Sequence, residues 1–497
     1  MNRMDSRVPI KHCGHPTSDA RSLPVANATP DSIISRRQLL QQAGGGAGSL
    51  ALAALMAGES SAARPFHAPQ NTHFKPRAKR VIWLFMHGGP SHVDLFDPKK
   101  ALDEYAGQPV PESFGAVMTR RDVARNPLMP AVKPYKRFGD SGLPVSTMLP
   151  EIGSCADDLC VIRSMHGDSV NHPQSVYQMN TGSILTGRPS FGSWLAYGLG
   201  TENQNMPAFV VLPDPRGGIK GGPPAWGSGF LPAAYQGITI RPGEHPILDL
   251  KPQPGVKAGE QLETLKLIQD FNHIYARQQP HDDELEARIA SYELAFRMQT
   301  EAPELVDISE ETDATHKMYG LHQPHTSDFG RRCLLARRMI ERGVRFVQVY
   351  SGDTGGWDAH RHVINNHGQN CRETDLPVAG LIRDLKQRGL LEDTLVIWAG
   401  EFGRMPMSEQ GNGRDHNPWG FCSWLAGAGV HGGRAIGATD DIGLRAAVDK
   451  VPVKNFHATI LHLMGINHTQ LTYYHNGLEK RLTGPSDAEI VEEVISG

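Results

Sequence analysis

The stretch from Thr394 to Trp419, TLVIWAGEFGRMPMSEQGNGRDHNPW, limits the possible folds more than any other. It opens on Leu395-Val396-Ile397-Trp398, a short and unbroken apolar run whose β-branched and aromatic residues suit a buried strand. The run stops at Gly400-Glu401-Phe402-Gly403-Arg404. A second charged turn, Gly413-Arg414-Asp415-His416, precedes another apolar run from Phe421 to Ala426. Strands without polar alternation belong to sheets covered on both faces. In open sheets of that kind, ligands bind outside the carboxyl ends of the strands. A carboxylate, a guanidinium and an Asp-His pair at such an end read in two ways. They form a site for a metal or an anion, or they form a salt-bridged loop that caps the sheet.

The same grammar recurs along the chain. Lys79 to Met86, KRVIWLFM, is a continuous strand that empties into His87-Gly88-Gly89-Pro90-Ser91-His92-Val93-Asp94. Val344 to Tyr350 is a strand that leads to Gly355-Gly356-Trp357-Asp358-Ala359-His360-Arg361-His362. Phe209 to Leu212 is a further strand, and Leu149 to Cys160 reads as a helix before a short strand at Val161-Ile162. Helices are predicted over Asp282–Thr300, Phe329–Arg342 and Asp375–Arg388 from their apolar stripes and good helix formers. Asn171-His172-Pro173 has the form of a helix start, with proline in the first turn. Strands alternating with helices predict an α/β fold, a doubly wound and mostly parallel sheet sandwiched by helices. Residues 100–145 and 213–280 read as loop insertions, the second rich in glycine and proline near its start.

A chain of 497 residues accommodates one large α/β domain with insertions. A net charge of −3 gives no electrostatic case for nucleic acid or an anionic membrane surface. None of the six cysteines forms a C-x-x-C pair, so neither a thiolate zinc site nor a disulfide framework is expected. Ser35-Arg36-Arg37-Gln38-Leu39-Leu40 precedes a weakly apolar run from Ala43 to Gly58 and a small-residue stretch to Ala63. That order matches a twin-arginine export leader and is too short to span a bilayer. Residues 1–75 are therefore expected to be leader, and 76–490 the folded domain. The mature protein is expected in the periplasm or outside the cell, meeting the membrane only through export.

Four strand exits carry site-like residues: His87 to Asp94, Asp358 to His362, Glu401 to Arg404, and Asp415-His416. Asn171 and His172 add a helix start. Carboxylates mixed with imidazoles suit zinc, manganese or iron.

The segment Thr374 to Gly403, TDLPVAGLIRDLKQRGLLEDTLVIWAGEFG, is similar to the helix, strand and metal loop of sulfatases in the alkaline phosphatase superfamily. The set WLFMHGGPSHVDLFDPK, ARRMIERGVRFVQVY, GGWDAH, GEFGRMP, GRDHNP and HATILHLMGINH resembles more closely one exported family, the domain of unknown function 1501. The resemblance implies an exported hydrolase of sulfate or phosphate esters, of small molecules or polysaccharides, using a divalent metal (zinc, manganese or calcium). It also leaves room for a catalytically silent relative that binds an anionic ligand or a protein partner. By that resemblance His87 stands where sulfatases carry their first aspartate. Glu401 stands for the metal-loop aspartate, with Phe402 in place of a ligand. Asp358 and His360 match the Asp…His ligand pair, with His362 as a rival, and Asp415-His416 match the late histidine loop. The expected metal set is thus Asp358, His360, Glu401, Asp415, His416 and His87. His172 falls near the position of the nucleophile and is expected to act as nucleophile or base. Arg404 is expected to grip an anionic oxygen.

Overall fold

The computed structural model describes residues 68–241, 283–352 and 355–495, with parts of 260–274. Residues 1–67 of the expected leader lie outside the described residues, whereas 68–75 pack on the domain, the His73 N–H donating to the Gly465 carbonyl at 2.9 Å and the Gln70 N–H to that of Leu199 at 3.0 Å. Strand β1 (Arg80–Met86) shows why the apolar runs are unbroken. Its Ile82, Leu84 and Met86 enter one buried cluster, while Val81, Trp83 and Phe85 enter another. Successive side chains of a strand point to opposite faces, so apolar layers on both sides leave no polar position.

The remaining strands of this sheet are β2 (Leu159–His166), β3 (Phe209–Leu212), β4 (Ile238–Thr239), β5 (Phe346–Ser351), β6 (Thr394–Ala399), β7 (Phe421–Ala426), β8 (Arg434–Ile436) and β9 (Val451–Pro452). The nine strands run β8-β2-β7-β6-β1-β5-β3-β4, with β9 also paired to β2. β1 lies parallel to β5 and β6. Only β7 is reversed, antiparallel to both β2 and β6. The sheet is therefore mixed but mostly parallel.

Helices cover both faces. α1 (His172–Thr181) and α2 (Phe191–Leu199) place Val176, Met179 and Trp194 in the Trp83 cluster. α3 (Asp283–Val306), α4 (Ser327–Glu341) and α5 (Val363–Gln387) place Leu305, Leu334, Met339 and Ile382 in the Leu84 cluster. α6 (Val453–Leu463) returns to the first face with Phe456 and Ile460.

Two sequence expectations need correction. The helix expected over Leu149–Cys160 shrinks to a turn at Pro150–Gly153 and a 3-10 turn at Ala156–Asp158. β2 takes the residues beyond and continues to His166, because pairing with β7, β8 and β9 carries it past polar Arg163 and Ser164. The helix expected from Asp375 begins at Val363 and carries Pro377 within it. Its first half buries His367, Asn370 and Thr374 rather than an apolar stripe, which hides it from periodicity. Between 100 and 145, Tyr135–Phe138 and Leu143–Ser146 pair as a hairpin. The five described cysteines are buried and free. No described helix is long and apolar enough to cross a membrane.

Candidate metal centre

The carboxyl ends of β1, β2, β3, β5 and β6 open on one rim, and reversed β7 is entered from the same rim. Loops from six strands are thereby brought together without any long connection. Their approach is close enough to require glycine. Gly88 has φ 113°, and a Cβ there would lie 2.4 Å from the Trp357 backbone nitrogen. A Cβ on Gly413 would lie 2.0 Å from the His360 carbonyl oxygen. Gly403–Arg404 and His416–Asn417 form a small antiparallel ladder that fixes the two charged turns against each other.

At the centre stands Asp358. His172 Nε2 lies 3.0 Å from its Oδ2, His360 Nε2 3.1 Å from Oδ1, and His416 Nε2 3.2 Å from Oδ1. Each ring is held from behind by an acceptor on Nδ1. His172 Nδ1 is 2.6 Å from Glu401 Oε1, His360 Nδ1 2.6 Å from Glu409 Oε2, and His416 Nδ1 2.6 Å from the Val170 carbonyl. An acceptor at that distance favours the proton on Nδ1 of a neutral ring, which turns the Nε2 lone pair toward the centre. At His416 the Arg120 guanidinium also meets Nδ1, at 3.3 Å. Three imidazole nitrogens thus converge on one carboxylate, a crowding of donor atoms of the kind that surrounds a bound cation. His172 Nε2 and His360 Nε2 are buried and out of hydrogen-bond alignment despite their closeness to Asp358. Imidazoles anchored through their second nitrogen are the usual way proteins orient metal ligands. The donor set therefore fits a divalent cation. It is richer in nitrogen than calcium, which takes oxygen ligands, prefers.

The electrostatics agree. Burial works against the charge of Asp358, yet the three imidazoles and the Arg404 guanidinium hold its carboxyl far below the usual range. Burial also pushes His416 well below 6.5, with Asp358 opposing, so this ring is neutral. Glu401 is buried, but His172 and nearby His87 keep its carboxyl below the usual value. Phe402 sets its ring centre 4.8 Å from that of His172 and 4.5 Å from that of His416, tilted to both, an apolar wall where the resemblance placed a lost ligand.

Not every expected residue keeps its expected part. His172, His360, Asp358 and His416 come together. Glu401 accepts the Gly88 N–H at 2.9 Å and holds His172, so it acts chiefly as a support for a ligand, although His87, His172 and Glu401 are close enough for a joint site. His87 Nε2 accepts the Lys220 N–H at 3.0 Å, which occupies the lone pair a metal needs. Asp415 Oδ2 accepts the N–H groups of Arg120 and Arg121, while its buried Oδ1 has no hydrogen bond and faces His360 Nδ1 at 3.9 Å, and Asp415, His360 and His416 are close enough for a joint site. His362 stands outside the cluster, exposed and bonded to Asn412.

Two residues were expected to serve catalysis. Arg404 was expected to grip an anion, but it is wholly buried and donates to the carbonyls of Gly88, Gly89, Trp357 and Arg414 and to Asp358 Oδ1 at 2.8 Å. It holds the rim together and orients Asp358. His172 was expected as nucleophile or base, but both its nitrogens face carboxylates and its side chain is 2% exposed. That geometry suits a ligand.

Sequence reasoning missed Lys220, Glu409 and Val170. Lys220 Nζ lies 2.7 Å from Asp358 Oδ2 and is 31% exposed, so it is the cation nearest the opening. A lone lysine inside the glycine-rich stretch GGIKGGPP was the available signal. Glu409 lies in the loop between the two charged turns, and nothing in its neighbours marks it. Val170 acts through its backbone carbonyl, which no side-chain pattern reveals.

The fold and the cluster define the class: an α/β protein with a mostly parallel sheet and a histidine-rich cluster of possible metal ligands on its carboxyl rim. The family model for the protein of unknown function DUF1501 matches residues 78–495. The chain belongs to that family. No curated protein matches it. Among solved structures it is similar to the PsFucS1 sulfatase from Pseudoalteromonas sp. (12% identity, 78% of this chain and 68% of that one, TM-score 0.32). It is also similar to the lipoteichoic acid synthase LtaP from Listeria monocytogenes (9% identity, 84% and 79%, TM-score 0.33). A third is the phosphonate monoester hydrolase SpPMH from Silicibacter pomeroyi (10% identity, 70% and 72%, TM-score 0.30).

Proposed function

We propose that this chain is an exported, metal-dependent hydrolase of sulfate or phosphate esters, carried by small molecules or polysaccharides. The observation that carries the reading is the convergence of three anchored Nε2 atoms on Asp358. His172, His360, His416 and Asp358 would hold the ion, zinc or manganese before calcium on donor chemistry. When bound, a divalent cation supplies positive charge for the negative charge that develops on an ester oxygen. Glu401, Glu409 and the Val170 carbonyl keep the imidazole protons on Nδ1. Arg404 fixes Asp358 from the protein side. Lys220, on the open side, meets a non-bridging oxygen of the ester as a point charge. No hydroxyl or thiol is hydrogen-bonded to Asp358 or to the three imidazoles among the described residues, so the attacking group in this reading is water. Transfer of this kind depends mainly on positioning and charge. The paired arginines of the leader support export, which cell fractionation checks directly.

A silent, ligand-binding relative is favoured by one feature: Arg404 and Lys220 already neutralise Asp358 without a metal. Metal analysis of protein isolated from its native cell separates the readings. Stoichiometric zinc or manganese, with release of sulfate or phosphate from an ester panel that Asp358→Ala abolishes, supports the hydrolase. Metal-free protein that turns over nothing sinks it.

A further inference from the structure

α5 has a second use. Its inner face buries Val363, His367, Asn370, Cys371 and Thr374, while Ile364, Asn365, Gly368, Gln369 and Arg372 face outward. Those outward residues form one wall of a cleft of about 870 Å³, closed on the other side by Lys133, Met148 and Gln323. This lies within the range of small-molecule sites, roughly 300–1,000 Å³. α5 begins three residues after His360, so the cleft starts near the same rim, but it shares no residue with the metal cluster.

The chemistry of its lining is one-sided. Lys133, Arg372 and His325 make no side-chain hydrogen bond or ion pair among the described residues. The side-chain amides of Asn365 and Gln323 are likewise without partners. The two acids in the lining are engaged elsewhere: Glu151 is paired with Arg383 at 2.8 Å, and Asp375 accepts the N–H groups of Glu151 and Ile152. The cleft thus presents two cations without ion-pair partners, a histidine and free amides around the hydrophobic side chain of Ile364, which is 42% exposed. A guanidinium and an ammonium select an oxyanion. Amides match hydroxyl groups, and an aliphatic wall matches the C–H face of a ring. Gly368 keeps the floor open, since a Cβ there meets only the ends of Arg372 and Met148, at 3.7 and 3.8 Å.

We propose that this cleft is a second binding site, for a sugar ring that bears a sulfate or phosphate group. It stands apart from the hydrolase reading, and neither depends on the other. The test is calorimetric titration of the full chain in chelator with glucose 6-sulfate, glucose 6-phosphate and glucose. At least one charged sugar binds in the millimolar range or tighter, and glucose binds at least about tenfold more weakly, a difference of one decade in affinity. Binding of one charged sugar alone assigns the anion and supports the site. The Lys133→Ala/Arg372→Ala double variant weakens binding by about tenfold or more. Gly368→Leu fills the cleft and removes binding. It replaces a mid-helix glycine with a better helix former, so its melting temperature serves as the folding control. Asp358→Asn leaves binding unchanged. The proposal is overturned by no saturable binding of either charged sugar, by binding that survives Gly368→Leu and the double variant, or by binding that follows Asp358→Asn.

Discussion

Asp94 and Asp358 are both enclosed carboxylates, and each faces a fully buried arginine. Around Asp94 the pairing is closed. Arg414 donates Nε to Oδ2 at 2.8 Å and Nη2 to Oδ1 at 3.2 Å, and the Ser91 hydroxyl and the Val132 N–H complete the set. Burial opposes the charge of Asp94, but Arg414 and Ser91 keep its carboxyl below the usual value. Around Asp358 the arrangement is open. Arg404 takes one side of Oδ1, and three imidazole nitrogens and the Lys220 ammonium crowd the remainder. Asp94 has the partners a buried carboxylate needs to be stable. Asp358 has more than stability asks for, and their geometry is that of ligands. Similar residue pairs therefore serve a scaffold in one place and stand in a candidate metal centre in the other.

The largest expected effect tests the scaffold half. Arg414→Met leaves Asp94 charged, unpaired and 0% exposed, which costs roughly 3–5 kcal/mol of stability. Urea unfolding in chelator measures it. A loss below about 1 kcal/mol would place Asp94–Arg414 among weak pairs and break the contrast. Next comes the support behind a ligand. Glu409→Gln removes the charge that fixes the His360 ring and lowers metal affinity by about 10–100-fold, roughly 1.4–2.7 kcal/mol. Competition with a chelator of known affinity reads it. An unchanged affinity would take His360 out of the ligand set.

Much of this contrast was legible in the sequence. The continuous runs of β1 and β6 announced a sheet covered on both faces, and glycine with charge at their exits marked the rim. Asp358, His360 and His416 were found that way, because side-chain type and strand exit coincide. Arg404 and Glu401 were located, but sequence shows where a charge sits and not which carbonyls or rings it turns toward. Lys220 arrives from a glycine-rich loop with no periodic pattern, and the first half of α5 buries amides and histidine where a helix ordinarily shows an apolar stripe. What escaped was direction and backbone chemistry.

Acid sensitivity carries the comparison into the core. His457 is fully buried, and burial pushes it down to about 4, with only the Met179 carbonyl as partner for Nε2. His367, beside Asp94, is pushed down to about 3 by burial. A histidine whose folded pKa is lowered binds its proton first in the unfolded chain, so stability is intact above about 6.5 and falls as pH drops below it. Each such residue contributes a slope of about 1.4 kcal/mol per pH unit, ending near its folded value. His457→Leu should remove its share of the slope between about pH 6.5 and 4. Unfolding curves taken at steps across that window check it, and a slope identical to the parent would show that His457 is charged or exposed in solution.

The smallest effect on stability is expected at a residue that this reading places against the anion. Lys220 is part-exposed, and ion pairs of that kind contribute about 0–1 kcal/mol. Lys220→Ala should therefore leave the unfolding midpoint nearly unchanged, because Arg404 still neutralises Asp358 from behind. The loop itself stays anchored without the ammonium: the backbone N–H of residue 220 donates to His87, and the Tyr177 hydroxyl donates to the Gly221 carbonyl. Binding of inorganic sulfate or phosphate to metal-loaded protein should in contrast weaken, by about tenfold if one charge-assisted hydrogen bond is lost. Isothermal titration of the variant beside the parent separates the two effects. A variant that loses stability while binding the anion as before would reassign Lys220 to the scaffold, beside Arg414.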